Sequence, residues 1–268
     1  MTAGRLKILA RSGYAARGVV YLIVGFFAVL AAFGRGDAEG TKDALRTILE
    51  QPFGGVLLGL MTLGLLFHAL WRFVQAIRDV DRHGTDAKGI GVRLGLLGSG
   101  VAYLLLAVFA AGLILPAWFG GGGSSGAGGG ITAAITGSAA GPWVVRAIGV
   151  VTLIVGGAHI LKGAKAKFEK WLQAPPQTMD RLRPICRFGL IARGVVFLII
   201  GGLILAGGVI YDPNQAPTLE DALEAVQSWP FGPWILGLIA AGLFAFGLYS
   251  LIEARWRRID LERGLRPV

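Results

Sequence analysis

The sequence is short of three things common in soluble proteins. It has one cysteine, Cys186, so it can close no internal disulfide and holds no paired-cysteine metal motif. Only 16% of its 268 residues are charged, against roughly 25% in soluble domains. It also lacks HExxH and any pair of carboxylates within one apolar run. No enzyme constellation is visible, and no catalytic, cofactor-binding or metal-ligating residue is assigned. The two membrane-embedded histidines, His68 and His159, have no carboxylate or thiol beside them and make a poor metal site. They are read as hydrogen-bonding residues between helices, or as members of a polar pathway.

What fills the composition is apolar. Hydrophobic residues make up 54% of the chain and its mean hydropathy is +0.64. A soluble chain of this length would expose too much apolar surface, so the membrane class leads. A spanning helix needs about 20 mostly apolar residues. Six stretches qualify: Tyr14–Phe33, Phe53–Phe73, Leu94–Phe119, Pro142–Leu161, Gly194–Tyr211 and Phe231–Ile252. The first resembles a signal peptide, but its motif returns inside the chain, and it is therefore read as a span. The tryptophans cluster near span ends, as an aromatic belt does.

Positive charge is nearly missing from one side. Sorted by the loops between spans, 22 of the 26 Lys/Arg fall on the side of the two termini. The opposite side keeps Arg35, Lys42, Arg46 and Arg146, while the acids divide evenly. A bias in Lys/Arg alone is the positive-inside pattern, and it predicts that both termini are cytoplasmic. The formal charge of +10 is then a topology signal and no sign of nucleic-acid binding. The basic rim suits anionic lipid head groups.

One unit recurs three times. "RSGYAARGVVYL" from Arg11, "RLGLLGSGVAYL" from Arg93 and "RFGLIARGVVFL" from Arg187 share Arg, Gly, Gly, Val and a final Leu. "DALRTILEQPFGGVLLGL" from Asp43 matches "DALEAVQSWPFGPWILGL" from Asp221, with a degenerate middle copy from Thr132. The expected architecture is all-α and integral to the membrane, with three parallel-repeat hairpins over residues 1–82, 83–172 and 173–268. The short segments bearing Leu45, Ile48, Leu49, Leu223 and Val226 are predicted as interfacial helices on the outer face. Thr218 and Asp221 have capping-box spacing. Pro52 and Pro230 are placed near the first turn of the return helices. The Gly120–Gly130 run, without the Lys-Ser/Thr of a P-loop, reads as a linker.

These motifs resemble those of the bacterial membrane family defined by domain of unknown function 1206. The resemblance implies six helices in a bacterial inner membrane and transfers no catalytic residue. The polar residues that stand out are Arg17 and Arg193 at equivalent repeat positions, Ser99 at the third, and Gln75 and Glu253 at one return-helix position (Asp43 to Asp221, 178 residues). The arginines are expected to anchor helix ends through a head group, a carbonyl, or an Arg–Glu or Arg–Gln bridge. Two functions follow from this. One is a structural or accessory membrane component, with room for a membrane-protein partner, built as a solid bundle. The other is a small-solute channel, transporter or lipid-binding protein with a cavity near His68, His159, Arg17 and Arg193.

Overall fold

The computed structural model describes residues 3–34, 41–116, 141–207 and 219–259. Six long helices dominate: α1 (Ala3–Ala32), α3 (Gly54–Arg78), α4 (Ala87–Ile114), α5 (Gly141–Ala164), α6 (Pro176–Gly207) and α8 (Gly232–Trp256). Each is long and apolar enough to cross a membrane. Two short amphipathic helices, α2 (Thr41–Glu50) and α7 (Leu219–Gln227), precede α3 and α8. Ala44, Leu45 and Ile48 of α2 are buried, as are Ala222, Leu223 and Val226 of α7. The chain is therefore an all-α membrane protein with a repeated unit, in which α1 packs on α3 and α6 on α8, while α4 and α5 follow each other in sequence as the middle pair. The Gly120–Gly130 run and Thr218 lie outside the described residues.

The prolines sit earlier than their sequence position suggested. Pro52 and Pro230 precede the helices, inside tight turns closed by Gly54 N–H to Gln51 and Gly232 N–H to Trp229, both 2.7 Å. Phe53 and Phe231 follow with φ of 60° and 59°. Proline then a positive φ is the pattern of a type II turn, which normally places glycine where these phenylalanines stand. The next residue must be glycine for another reason. A Cβ on Gly54 would lie 2.0 Å from the Leu49 carbonyl oxygen, and one on Gly232 2.1 Å from that of Gln227.

The long helices pack as an arc in the order α4, α3, α1, α8, α6, α5. Burial follows the arc: the most apolar window of central α8 is 61% buried and that of terminal α5 only 11%. Small residues let the backbones touch, as they do in membrane interiors generally. In the α1–α8 pair, a Cβ on Gly18 would lie 3.0 Å from the Gly247 oxygen, and one on Gly25 2.5 Å from the Phe244 nitrogen. In the α5–α6 pair, a Cβ on Gly194 would lie 2.7 Å from the Gly156 oxygen, and one on Gly201 2.9 Å from the Leu153 side chain. These are the same repeat positions, so the two pairs share one packing geometry.

The leading arginine of each repeat has one job. Arg93 donates to the carbonyls of Ala76 and Ile77 at the end of α3. Arg187 donates to Ala164 at the end of α5 and Arg11 to Arg255 at the end of α8. Each opening helix thus caps the return helix of the neighbouring hairpin, where a cation also meets the negative end of the helix dipole.

Candidate functional site

The polar residues gather at one end of the arc, the basic end, where α1, α4 and α6 begin and α3, α5 and α8 finish. Arg17, two turns after the cap Arg11 on α1, points at α8. Its Nη2 donates to Glu253 Oε2 at 2.5 Å and its Nε to Ser250 Oγ at 3.1 Å. Glu253 Oε1 accepts from Arg257 Nη1 at 2.6 Å. Arg257 Nη2 reaches Asp81 Oδ2 at 3.4 Å, which also accepts from Gln75 Nε2 at 2.7 Å. Gln75 Oε1 accepts from Arg72 Nη1 at 3.2 Å, and Arg72 Nε donates to His68 Nε2 at 3.3 Å. One side-chain chain of hydrogen bonds therefore links Gln75 to Glu253, the two residues matched across the repeats. Arg17, Gln75 and Glu253 are almost wholly buried, so pairing is what makes these charges tolerable.

Arg257 and Asp81 lie outside the spans and are held by backbone. Gln173 N–H donates to the Trp256 oxygen and Arg258 N–H to the Trp171 oxygen, both at 2.8 Å. This short bridge ties the segment after α5 to the end of α8 and stacks Arg257 over Trp171 and Tyr14. Asp79 organises the α3–α4 turn by accepting from His83 and Gly84 N–H. Slight burial pushes its carboxyl up, but these two N–H donors outweigh it and hold the group below its ordinary range.

Arg193 behaves differently from its repeat partner. It forms no bridge to Gln75 or to any carboxylate among the described residues. Its guanidinium lies over Phe246, Tyr21 and Phe197, 4.3, 4.7 and 5.0 Å from their centroids, and among the described residues Nε and Nη1 have no hydrogen-bond partner. The expected Arg–Gln bridge is therefore replaced by stacking on aromatic faces. The reason lies in α5. Its first residues, Gly141-Pro142-Trp143, align with Gly232-Pro233-Trp234 at the start of α8. That register sets Lys162 at the position of Glu253 and Gln75. Where Arg17 meets a carboxylate on its packed neighbour, Arg193 meets the helix carrying a lysine.

Lys162 donates to Tyr249 Oη at 3.2 Å. Ser99 takes the place of the arginines on α4 and adds no charge. His68 is fully buried, its ring edge-on to Tyr14 and Tyr103. His159 is held by the Val155 carbonyl at 2.8 Å.

All six long helices border a cleft of about 220 Å³ at this end. Four cations line it, Arg17, Arg72, Lys162 and Arg257, against two carboxylates, Asp81 and Glu253. His159, Tyr249 and Trp171 add polar or amphipathic edges, and Val92 and Leu96 an apolar side. Arg72 and Lys162 form no ion pair among the described residues. Of the sequence candidates, Arg17, Glu253 and His159 line the cleft. Gln75 supports it from behind, while His68, Ser99 and Arg193 stand outside its wall. The solid bundle expected of a purely structural protein is thus interrupted by a charged cleft. Among the described residues, no three His, Cys, Asp or Glu come together as a metal site.

The family model described as Domain of Unknown Function (DUF1206) matches residues 12–79 and 188–257, just over half of the chain together. The chain belongs to this family. The two matched segments of this DUF1206 protein carry the polar chain of hydrogen bonds except its linking residue Asp81, and α4 and α5 lie outside them. The chain is also similar to the uncharacterized protein YxxB of Bacillus subtilis (strain 168), at 26% identity over 261 residues, covering 96% of this chain and 94% of the relative. No solved structure matches it.

Proposed function

We propose that this DUF1206 protein is a non-enzymatic component of the bacterial inner membrane that holds a small anion in the cleft at its basic end. The Lys/Arg asymmetry supports placing that end, and both termini, in the cytoplasm. One observation carries the anion reading: four cations face two carboxylates in the cleft, and two of those cations have no acid partner. Arg72 and Lys162 are half-buried, so a charge without an ion-pair partner is costlier there than in open water, and a bound anion lowers that cost. A cleft of about 220 Å³ is smaller than the roughly 300–1,000 Å³ of pockets for drug-sized ligands. A phosphate-sized group suits it. Guanidinium and ammonium groups are the usual partners of such an anion. The cleft also favours this binding reading over an accessory bundle with no ligand.

Thermal unfolding in detergent tests it. Inorganic phosphate, compared with chloride at matched ionic strength, is expected to raise the midpoint; at 100 times its Kd a ligand adds about 2.7 kcal/mol. Lys162→Gln should remove most of the increment without unfolding the protein, because Lys162 is half-buried and forms no salt bridge among the described residues. Equal midpoints in phosphate and chloride would overturn the reading.

A further inference from the structure

The three hairpins are not closed alike. In the first, Gly13 sits against the backbone of His68, where a Cβ would lie 2.6 Å from its Cα, and Gly64 sits on Ala16. The third repeats this, with Gly189 against the Phe246 backbone, where a Cβ would lie 2.4 Å from its nitrogen, and Gly242 on Ala192. In the second hairpin the corresponding residues are Gly95 and Gly98 on α4, and by the same register Val155 and Val151 on α5. Among the described residues, no atom lies within 4 Å of a Cβ on either glycine. Among the described residues, the close helix contact of the other two hairpins is not made at these positions, and α4 and α5 stand at the two ends of the arc.

Both free ends reach the same cleft. Val92 and Leu96 of α4 line it, as do His159 and Lys162 of α5. The α5 face that would meet α4 runs Val151, Val155, Ala158, Lys162, at helical spacing, so an apolar seam leads into a cationic pocket. A stripe of small residues alone identifies no ligand. The excess of cations over carboxylates in the cleft at its end points to an anion.

We infer that the anion is the phosphate of an anionic phospholipid, which enters sideways between α4 and α5 and leaves its acyl chains along Gly95, Gly98, Val151 and Val155. This rests on the anion reading above. Depth agrees: Lys162 and Arg72 stand two and six residues before the ends of their helices, about 3–9 Å at 1.5 Å per residue, close to the head-group level. Chemistry agrees as well. A soluble anion has no use for an apolar seam, whereas a lipid satisfies the cations and the uncovered helix faces together. The volume admits a head group and leaves the chains outside.

The test uses delipidated full-length protein, short-chain phosphatidylglycerol, short-chain phosphatidylcholine and inorganic phosphate, read by thermal midpoint and by native mass spectrometry. Phosphatidylglycerol is expected to bind about tenfold or more tightly than phosphatidylcholine, a difference of about 1.4 kcal/mol. Gly95→Phe and, separately, Gly98→Phe fill the seam at open positions. Each is expected to weaken phosphatidylglycerol about tenfold while the response to inorganic phosphate persists. Lys162→Gln weakens both ligands. Phosphate binding without lipid selectivity, or lipid binding indifferent to both seam variants, overturns the lateral-lipid inference and leaves the anion reading standing. No response to either ligand overturns both.

Discussion

Glu253→Gln is expected to lower the thermal midpoint more than any other single polar substitution in the protein. Glu253 is 2% exposed and answers two guanidinium groups at once, Arg17 at 2.5 Å and Arg257 at 2.6 Å. Glutamine keeps the shape and one acceptor but removes the charge. Two buried arginines then face each other across a neutral group, beside the surplus cations of the cleft. Breaking a buried pair by removing one partner typically costs about 3–5 kcal/mol. Removing the whole set costs less, since taking these ions out of water is itself expensive. Arg17→Met with Glu253→Met should therefore be more stable than Glu253→Gln alone. Fluorescence-monitored unfolding in one detergent compares the two. A single variant no less stable than the double would show that the pairing does not hold the α1–α8 contact.

The second large effect belongs to glycine. Gly25→Ala and Gly189→Ala place a methyl group 2.5 Å and 2.4 Å from backbone nitrogens of α8. Backbone cannot rotate away as a side chain does, so the helices must separate. Overpacking of this kind costs about 1–3 kcal/mol. Gly95→Ala and Gly98→Ala meet nothing among the described residues and should be neutral, or stabilising by about 0.5–1 kcal/mol through the lower backbone entropy of alanine. A midpoint series over these four variants reads the difference. Equal destabilisation at all four positions would mean that the middle hairpin is closed like the others.

Much of the fold was legible because a bilayer imposes a coarse rule. Only long apolar runs can cross it, and six such runs stand out. Their ends were less legible. Sequence placed the first span at Tyr14–Phe33, yet α1 begins at Ala3, because a helix continues through residues such as Lys7 and Arg11 once they reach water or cap a neighbour. The Arg17–Glu253 pair was legible because the repeat offset put Gln75 and Glu253 at one depth. Lys162 was not. Matching Thr132 to Asp43 starts the return helix two residues late, while the Gly-Pro-Trp shared by α5 and α8 sets the true register. Asp81 and Arg257 were invisible for another reason: both lie outside the spans, and backbone pairing near Trp171 brings Arg257 into the cleft. The missing α4–α5 contact left no local trace at all. Gly95 and Gly98 look like packing glycines, and only the arrangement of the other five helices leaves them bare.

The account rests on that open middle hairpin, since it forms one wall of the cleft and the whole seam. Cysteines at Gly95→Cys and Val155→Cys, in a Cys186→Ala background, test it directly in membranes under mild oxidation. Disulfides form only between Cβ atoms about 3.5–4.5 Å apart, a separation that a hairpin packed like the first or third would approach. The account predicts two free thiols, both open to alkylation and without a cross-link. Rapid, near-complete disulfide formation between positions 95 and 155 would contradict it.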